Sequence, residues 1–279
     1  MPFESELPAG TPEIAEDNWA EFAVSMAGRD EDGAQVSESG YTPRDFDQSP
    51  RGSIVCAESF PHSMLIPRSE WRERIEEKER KKTRLSDLCT AAGPIWTNQS
   101  PSWYCWAYCV CHGVCAMNAV QNERPRRLVP ESVAGPIMNY RKKGGWPSKA
   151  LDYIAEHGIA DDSAWPWNGH TAANKKQYFA PSRANAAQTK IKEWWELRTF
   201  EEKASCLLRN IPVPSGYSWM GHAICSIDLI VMRGGGFGCL DLDSYARNNM
   251  YNTKAIEERR AAGNDMVAPR FISPSGKDT

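Results

Sequence analysis

Nowhere in the 279 residues does an apolar run approach the roughly 20 residues that a membrane-spanning helix needs. The first ten residues, MPFESELPAG, are acidic and lack a basic stretch followed by an apolar one. No secretory leader is therefore expected, and the expected location is the cytoplasm of the producing cell. Net charge is slight, -3 at neutral pH, so no overall field draws the chain to nucleic acid or an anionic membrane. Histidine is scarce, at five residues, which leaves few candidates wherever chemistry near neutral pH needs an imidazole. Large apolar residues are sparse in the first 53 positions, as in RDEDGAQVSESGYTPRDFDQSPRGS. Such a segment alone does not offset its ordering entropy, so the body of the protein or a partner must hold it.

The remainder has an ordinary globular composition, 41% hydrophobic and 25% charged, enough for one large domain or two lobes over one core. Within the acidic arm of residues 1–64, a helix is expected from Thr11 as N-cap, with Pro12 at the first helical position. Residues 65–94 carry RSEWRERIEEKERKKTRL, whose alternating charges at helical spacing predict a solvated helix. Cys105 to about Gln121 is small and apolar on nearly every side and reads as a buried helix. PSKALDYIAEHG predicts an amphipathic helix opened by Pro147 and stopped by Gly158. TFEEKASCLLRN predicts another, with Thr199 as N-cap and Glu202 closing a capping box. IPVPSGYSW, HAICSIDLIVM and FGCLDLDSY are short, β-prone and separated by Gly or Pro, so they read as strands. Helices first and strands after predict an α+β fold, a helical layer against an antiparallel sheet. Residues 251–279 read as a partly helical extension.

Nine cysteines is an odd count, and Cys105, Cys109, Cys111 and Cys115 fall within eleven residues. On one helix the first and last of them stand about 15 Å apart. Ligands of one zinc ion must lie within about 2.3 Å of it, so an intact helix gathers no such site. No metal and no other cofactor is expected. A cysteine at a helix N-terminus feels the positive end of the helix dipole, which favours the thiolate, and Cys105 is placed for that. A nucleophilic thiol also needs a base brought close by folding. His222, at the start of a predicted strand, is the best candidate. His62, His157 and His170 sit in loops or at helix ends, and His112 lies two turns along from Cys105.

QSPSWYCWAY resembles the nucleophile segment of the papain-like (C1) cysteine peptidases, a Gln, five residues, then Cys-Trp-Ala-aromatic. Three further stretches fit in order. GGWPSKALDYIAEHGI, followed by WPW, is similar to that family's Gly-Gly-aromatic-Pro segment, its helix and its Tyr-Pro-Tyr; GHAICSID is similar to its His-Ala-Val strand. LDLDSY falls where the family has Lys-Asn-Ser-Trp. The resemblance covers roughly residues 95–245 and implies a two-lobe papain-like domain over 95–250, its helical lobe at about 95–170 and its β lobe at about 185–250. It also implies Cys105 as nucleophile, His222 as base, Asp243 as the group orienting the imidazole, and Gln99 as oxyanion donor beside the Cys105 backbone N–H. Gly144 and Gly145 would offer bare backbone to an extended polypeptide substrate. Trp146 and Pro147 would wall the pocket for the second residue before the scissile bond.

The departures are specific. Asp243 replaces the family's Asn, and Tyr245 and Ala246 replace its Trp and Gly. Ser102, Trp103 and Tyr104 stand where Cys-Gly-Ser is usual, which removes one end of a family disulfide, with Lys142 at the other end. Trp103 is bulky enough to fill the cleft beside the thiol. Residues 1–64 lack the spaced pattern of the family's inhibitory prodomain. The short run before His222 is more similar to compact bacterial and phage-encoded relatives. Two function classes stay open: a thiol hydrolase acting on polypeptide, and a papain-like scaffold with a disused site. In the second, the arm would hold assembly partners, as in a phage virion.

Overall fold

The computed structural model describes residues 3–24, 28–30, 33, 35–54, 56–93, 99, 102–121, 126–166, 172–244, 250–253, 261 and 264–272. His170, Trp167 of the WPW stretch, Tyr245 and Ala246 lie outside them. The arm carries β1 (Glu13–Ile14), α1 (Trp19–Phe22), β2 (Gly28–Arg29), β3 (Gln35–Val36) and β4 (Ala57–Ser59). Helices α2 (Arg68–Lys81), α3 (Leu85–Ala92), α4 (Cys105–Val120), α5 (Glu131–Ile137), α6 (Pro147–His157) and α7 (Ala172–Ala186) follow. The chain then runs β5 (Ile191–Leu197), α8 (Phe200–Leu208), β6 (Val213–Tyr217), β7 (His222–Val231), β8 (Phe237–Leu242), β9 (Met250–Thr253) and β10 (Asp265–Ile272).

Among the described residues, eight strands form one sheet in the order β1-β9-β8-β7-β6-β10-β5-β4. The two outer pairings, β1 with β9 and β4 with β5, are parallel, and the inner ones are antiparallel. Both edge strands therefore come from the acidic arm. An open edge of unpaired N–H and C=O groups is a site for wrong pairing, and here the arm covers each one. The body of the protein is what holds these arm strands. The helix expected from Thr11 is absent: Glu13 and Ile14 extend as β1, and the helix begins only at Trp19, where the Asn18 side chain accepts from the Ala15 N–H at 2.7 Å.

Every residue of α4 from Cys105 to Ala119 is buried, as its all-round apolar sequence predicts. It packs on one sheet face with α3, α5 and α6, burying Trp194, Cys225, Leu240 and Val267. The other face buries Trp195, Leu229, Val231 and Met266 under α2 and α8. Neighbouring strand residues point to opposite faces, so Trp194 and Trp195 serve different cores. A bulge between Ser226 and Asp228 switches the parity of β7, and Asp228 then turns inward. Its carboxylate accepts from the Leu85 and Ser86 N–H groups at 2.9 and 3.3 Å, capping α3.

Two further expectations differ from the structure. The charged segment is not a solvated helix, because Trp71 and Ile75 of α2 are buried, Trp71 in edge-to-face contact with Phe200 and Phe237. Residues 251–279 are not a partly helical extension where described: β10 lies between β6 and β5, inside the sheet. The antiparallel lobe therefore runs past residue 250 to at least Ile272. Helices α6 and α8 form as their caps predict, with Gly158 at φ 83° ending the first and the Thr199–Glu202 capping box opening the second.

Candidate active site

Cys105 is the first residue of α4, so its backbone N–H is one of the donors that a helix leaves without an intrahelical partner. His222 opens β7, and Asp243 follows the last residue of β8, the strand paired to it. His222 Nε2 lies 2.9 Å from Asp243 Oδ1, with both side chains buried. Cys105 also acts on the imidazole electrostatically. Nε2 is taken by the carboxylate, which leaves Nδ1 as the ring nitrogen for the sulfur. Burial opposes the charged ring, but Asp243, by charge and hydrogen bond, and Cys105 outweigh it and raise the pKa of His222 from 6.5 to about 10.

Gln99 is anchored from both ends. Its backbone N–H donates to the Ser244 carbonyl at 2.9 Å, and its Oε1 accepts from the Ser244 hydroxyl. That second bond fixes the amide so that Nε2 points at the helix start. Nε2 donates to the Ser39 carbonyl oxygen at 3.1 Å and to Ser102 O at 3.2 Å. The Cys105 N–H donates to the same Ser39 oxygen at 3.3 Å. Two donors from different segments thus converge on one peptide carbonyl oxygen, the arrangement that stabilises an oxyanion.

That carbonyl belongs to the arm. Residues 37–41 make a tight turn, with Gly40 N–H donating to Ser37 O at 2.9 Å, and Tyr41 N–H donating to Ser37 Oγ at 2.8 Å. At its apex Ser39 Oγ sits 3.3 Å from Cys105 Sγ and donates to Gly221 O at 3.1 Å. The thiol is fully covered. Beyond the turn the arm pairs with the Gly-Gly segment: Gly145 N–H donates to Gly40 O, and Thr42 N–H donates to Gly145 O, both at 3.1 Å. This is a parallel bridge of Tyr41 with Gly145. A Cβ on Gly144 would meet Thr42 Oγ1 at 1.9 Å, and one on Gly145 would meet the Trp106 ring at 2.5 Å. Only bare backbone lets arm, rail and helix approach so closely. The buried Tyr41 ring and Pro147 both pack at Gly216, and the Tyr41 hydroxyl is 3.3 Å from Ser218 Oγ.

Cys105, His222, Asp243, Gln99, Gly144, Gly145 and Pro147 thus gather around arm residues 39–42. Trp146 is half-buried beneath the Lys149 ammonium, 3.8 Å from its ring centroid. The Trp103 ring faces the Lys142 ammonium, 5.2 Å from its centroid, and the Trp103 backbone lies against Gly40. The sequence alone does not point to Ser39, Gly40, Tyr41 and Ser244. A Ser-Gly turn signal within SESGY marks the arm residues, but nothing local says where that turn docks. All nine cysteines are free thiols, and Cys56 is the exposed one.

No protein-family model matches the chain. Over 86 residues it is 27% identical to macrodontain-1 of Ananas macrodontes, a match spanning 30% of this chain and 40% of that protein. Solved structures of similar fold include xylellain, a cysteine protease from Xylella fastidiosa, at TM-score 0.60 and 12% identity, covering 84% of this chain and 96% of that one. Digestive procathepsin L 3 from the larval midgut of Tenebrio molitor matches at TM-score 0.54 and 13% identity, over 92% and 79% of the two chains. Bromelain of Ananas comosus, solved in complex with the E64 inhibitor, matches at 0.54 and 15%, over 67% and 97%. The fold is that of the papain-like cysteine proteases.

Proposed function

We propose that this chain is a papain-like cysteine peptidase, with Cys105 as nucleophile, held latent by its own N-terminal arm. One observation carries the reading: the Gln99 amide and the Cys105 N–H converge on a single peptide carbonyl oxygen beside a thiol that shares a buried imidazole with a carboxylate. In the reaction, the Cys105 thiolate, stabilised by the His222 imidazolium, attacks a substrate carbonyl carbon. The two donors hold the developing oxyanion. His222 gives its proton to the leaving amine, and a thioester remains on Cys105. The ring, now neutral, takes a proton from water, which attacks the thioester and releases the acid. Asp243 orients the ring throughout.

The arm is not a substrate in this pose. The resemblance places residues before the scissile bond on the Gly144–Gly145 rail, whereas the arm lays residues after Ser39 there, so it runs against the productive direction. The nitrogen that would leave, Gly40 N, is tied into the turn through Ser37 O. A procathepsin among the structures of similar fold supports the latent reading. The arm-opened variant Gly40→Ala is expected to hydrolyse casein and to take up one E-64 molecule at Cys105, with both lost on adding Cys105→Ala. Neither hydrolysis nor adduct in a folded, arm-opened chain would overturn the proposal.

A further inference from the structure

Where α6 ends, α7 packs beside it and leaves a cavity. The two elements touch at Gly158, where an added Cβ would lie 1.9 Å from the Ala186 carbonyl oxygen. The α7 residues turned this way include Phe179, Ser182, Arg183 and Ala186, spaced by three or four positions as one side of a helix requires. Serine and alanine are too small to fill the space beyond the contact. A cavity of about 260 Å³ remains between α5, α6 and α7. On the same scale one water needs only about 10–15 Å³, so this space is the size of a ligand. None of the residues lining it belongs to the Cys105 cleft.

The cavity has aromatic walls and an excess of positive charge. The half-buried rings of Tyr153 and Phe179 line it together with Pro136 of α5. Arg183 is exposed at its rim, the guanidinium carbon 5.9 Å from the Phe179 ring centroid. Burial raises the pKa of Tyr153 and the Arg183 charge opposes that rise, so the guanidinium's field reaches the Tyr153 hydroxyl. Lys190 Nζ donates to the Glu156 carbonyl oxygen at 2.6 Å, at the end of α6. The carbonyl end of a helix carries about half a negative charge, less than the ammonium brings. The Glu156 carboxylate lies 3.5 Å from His157 Nε2, on a side chain that is 71% exposed. Among the described residues, no carboxylate pairs with Arg183 or Lys190.

An occupant that fits must bring a flat apolar group for the rings and a negative charge for the cations. A phenyl-sized ring packs on aromatic walls by offset or edge-on contact. A carboxylate offers two oxygens to the forked donors of a guanidinium and accepts from an ammonium as well. We propose that this cavity is a binding site for a small aromatic carboxylate, its ring against Tyr153 and Phe179 and its carboxylate on Arg183 and Lys190. A free aromatic acid and the C-terminal aromatic residue of a peptide share that chemistry. The site does not depend on the peptidase proposal above.

The test uses the full chain, in which the arm covers the Cys105 thiol. Hydrocinnamate and the free acid of acetylglycyl-phenylalanine are each titrated by calorimetry beside their uncharged amides. At least one of the acids is expected to bind once per chain, tenfold or more tightly than its amide. Arg183→Gln, at an exposed side chain, is expected to shrink that ratio to under threefold. Ala187→Trp, which brings an indole to the cavity from an exposed position, is expected to weaken acid and amide alike by tenfold or more. Thermal melting checks that both variants remain folded. Binding of hydrocinnamate alone assigns the site to free acids, binding of the peptide alone assigns it to C-termini, and binding of both assigns it to the chemistry they share. Failure of both acids to bind, or a preference over the amide of less than tenfold, overturns the site. So does a preference that Arg183→Gln leaves above threefold, or an affinity that Ala187→Trp lowers by less than tenfold.

Discussion

Replacing Gly40 with alanine probes the arm where it presses hardest on the body. Gly40 has φ 89°, and a Cβ there would lie 1.8 Å from the Trp103 carbonyl oxygen and 2.2 Å from its carbon. Those are backbone atoms just ahead of α4, so no side chain can rotate out of the way and the arm itself has to shift. Left-handed backbone costs alanine about 1–2 kcal/mol, and relieving the overlap adds roughly 1–3 kcal/mol. Against this, the turn is held by two hydrogen bonds onto Ser39 O and two with Gly145. At about 1 kcal/mol net apiece, they are of the same order as the penalty. Cys105 is fully buried, so alkylation proceeds through the open state and its rate follows the open fraction. A loss of ~2 kcal/mol from the closed state raises labelling roughly 30-fold; a larger loss saturates at the rate of a permanently open cleft. The assay is pulsed iodoacetamide with mass-spectrometric quantitation of each cysteine-bearing peptide. Exposed Cys56 serves as the reagent control, and Cys109 and Cys225, buried in the same core cluster as Cys105, report on the body. Cys105 labelling within twofold of the parent, or a rise shared by Cys109 and Cys225, would refute the reasoning. The first outcome denies the clash, and the second denies that the arm moves independently.

Asp243→Asn removes the leading contribution that raises the His222 pKa, leaving burial to lower it against Cys105 alone. A ring raised from 6.5 to about 10 contributes stability that is complete below pH 6.5 and is lost as pH climbs through about 10. Thermal melts from pH 6 to 10 should therefore fall less steeply with pH in the variant, and an unchanged slope counts against the ion pair. Trp71→Ala in α2 should cost about 3–5 kcal/mol in urea unfolding, as for a core aromatic. A solvated helix would lose under about 0.5 kcal/mol, and that result would sever α2 from the core.

Much of this arrangement is written locally. Cys105 and His222 stand out because chemistry needs a thiol at a helix start and an imidazole on a distant strand, and the short motifs around them fix the order. The caps of α6 and α8 are likewise local signals, read from Pro147, Gly158, Thr199 and Glu202. The failures share a physical cause, since each depends on a partner far away in sequence. In α2 the inward stripe is Trp71, Ile75 and Glu79, three positions among many charges, and only the body opposite reveals that it is buried. In β5 the residues IKEWWEL show no alternation of polarity because Trp194 and Trp195 fill cores on both faces of the sheet. The arm has little apolar mass of its own; its order comes from the sheet edges, the Gly-Gly rail and the packing of Ile14, Trp19 and Phe22 against Tyr217, Met220 and Ile224. Ser244 is invisible for the same reason, because its value lies in gripping Gln99 across 145 positions of sequence.

On the peptidase proposal, Gln99 ties latency and catalysis to the same atoms, and that coupling has a testable sign. Its Nε2 and the Cys105 N–H now serve the Ser39 carbonyl; in turnover the same pair would serve the substrate's oxyanion. Any strengthening of those donors tightens the latch and the transition state together. Gln99→Ala should therefore push two readouts in opposite directions. The closed arm loses one hydrogen bond of about 1 kcal/mol net, so Cys105 labelling rises roughly fivefold. Hydrolysis measured in the arm-opened background falls about 10²–10³-fold, because a charge developing on oxygen uses the donor more than a resting carbonyl does. Were Gln99 a packing residue alone, its loss would loosen the loop and lower both labelling selectivity and stability without that asymmetry. Slower labelling of Cys105 in Gln99→Ala, or hydrolysis unaffected within threefold, would show that the two donors do not act as one site.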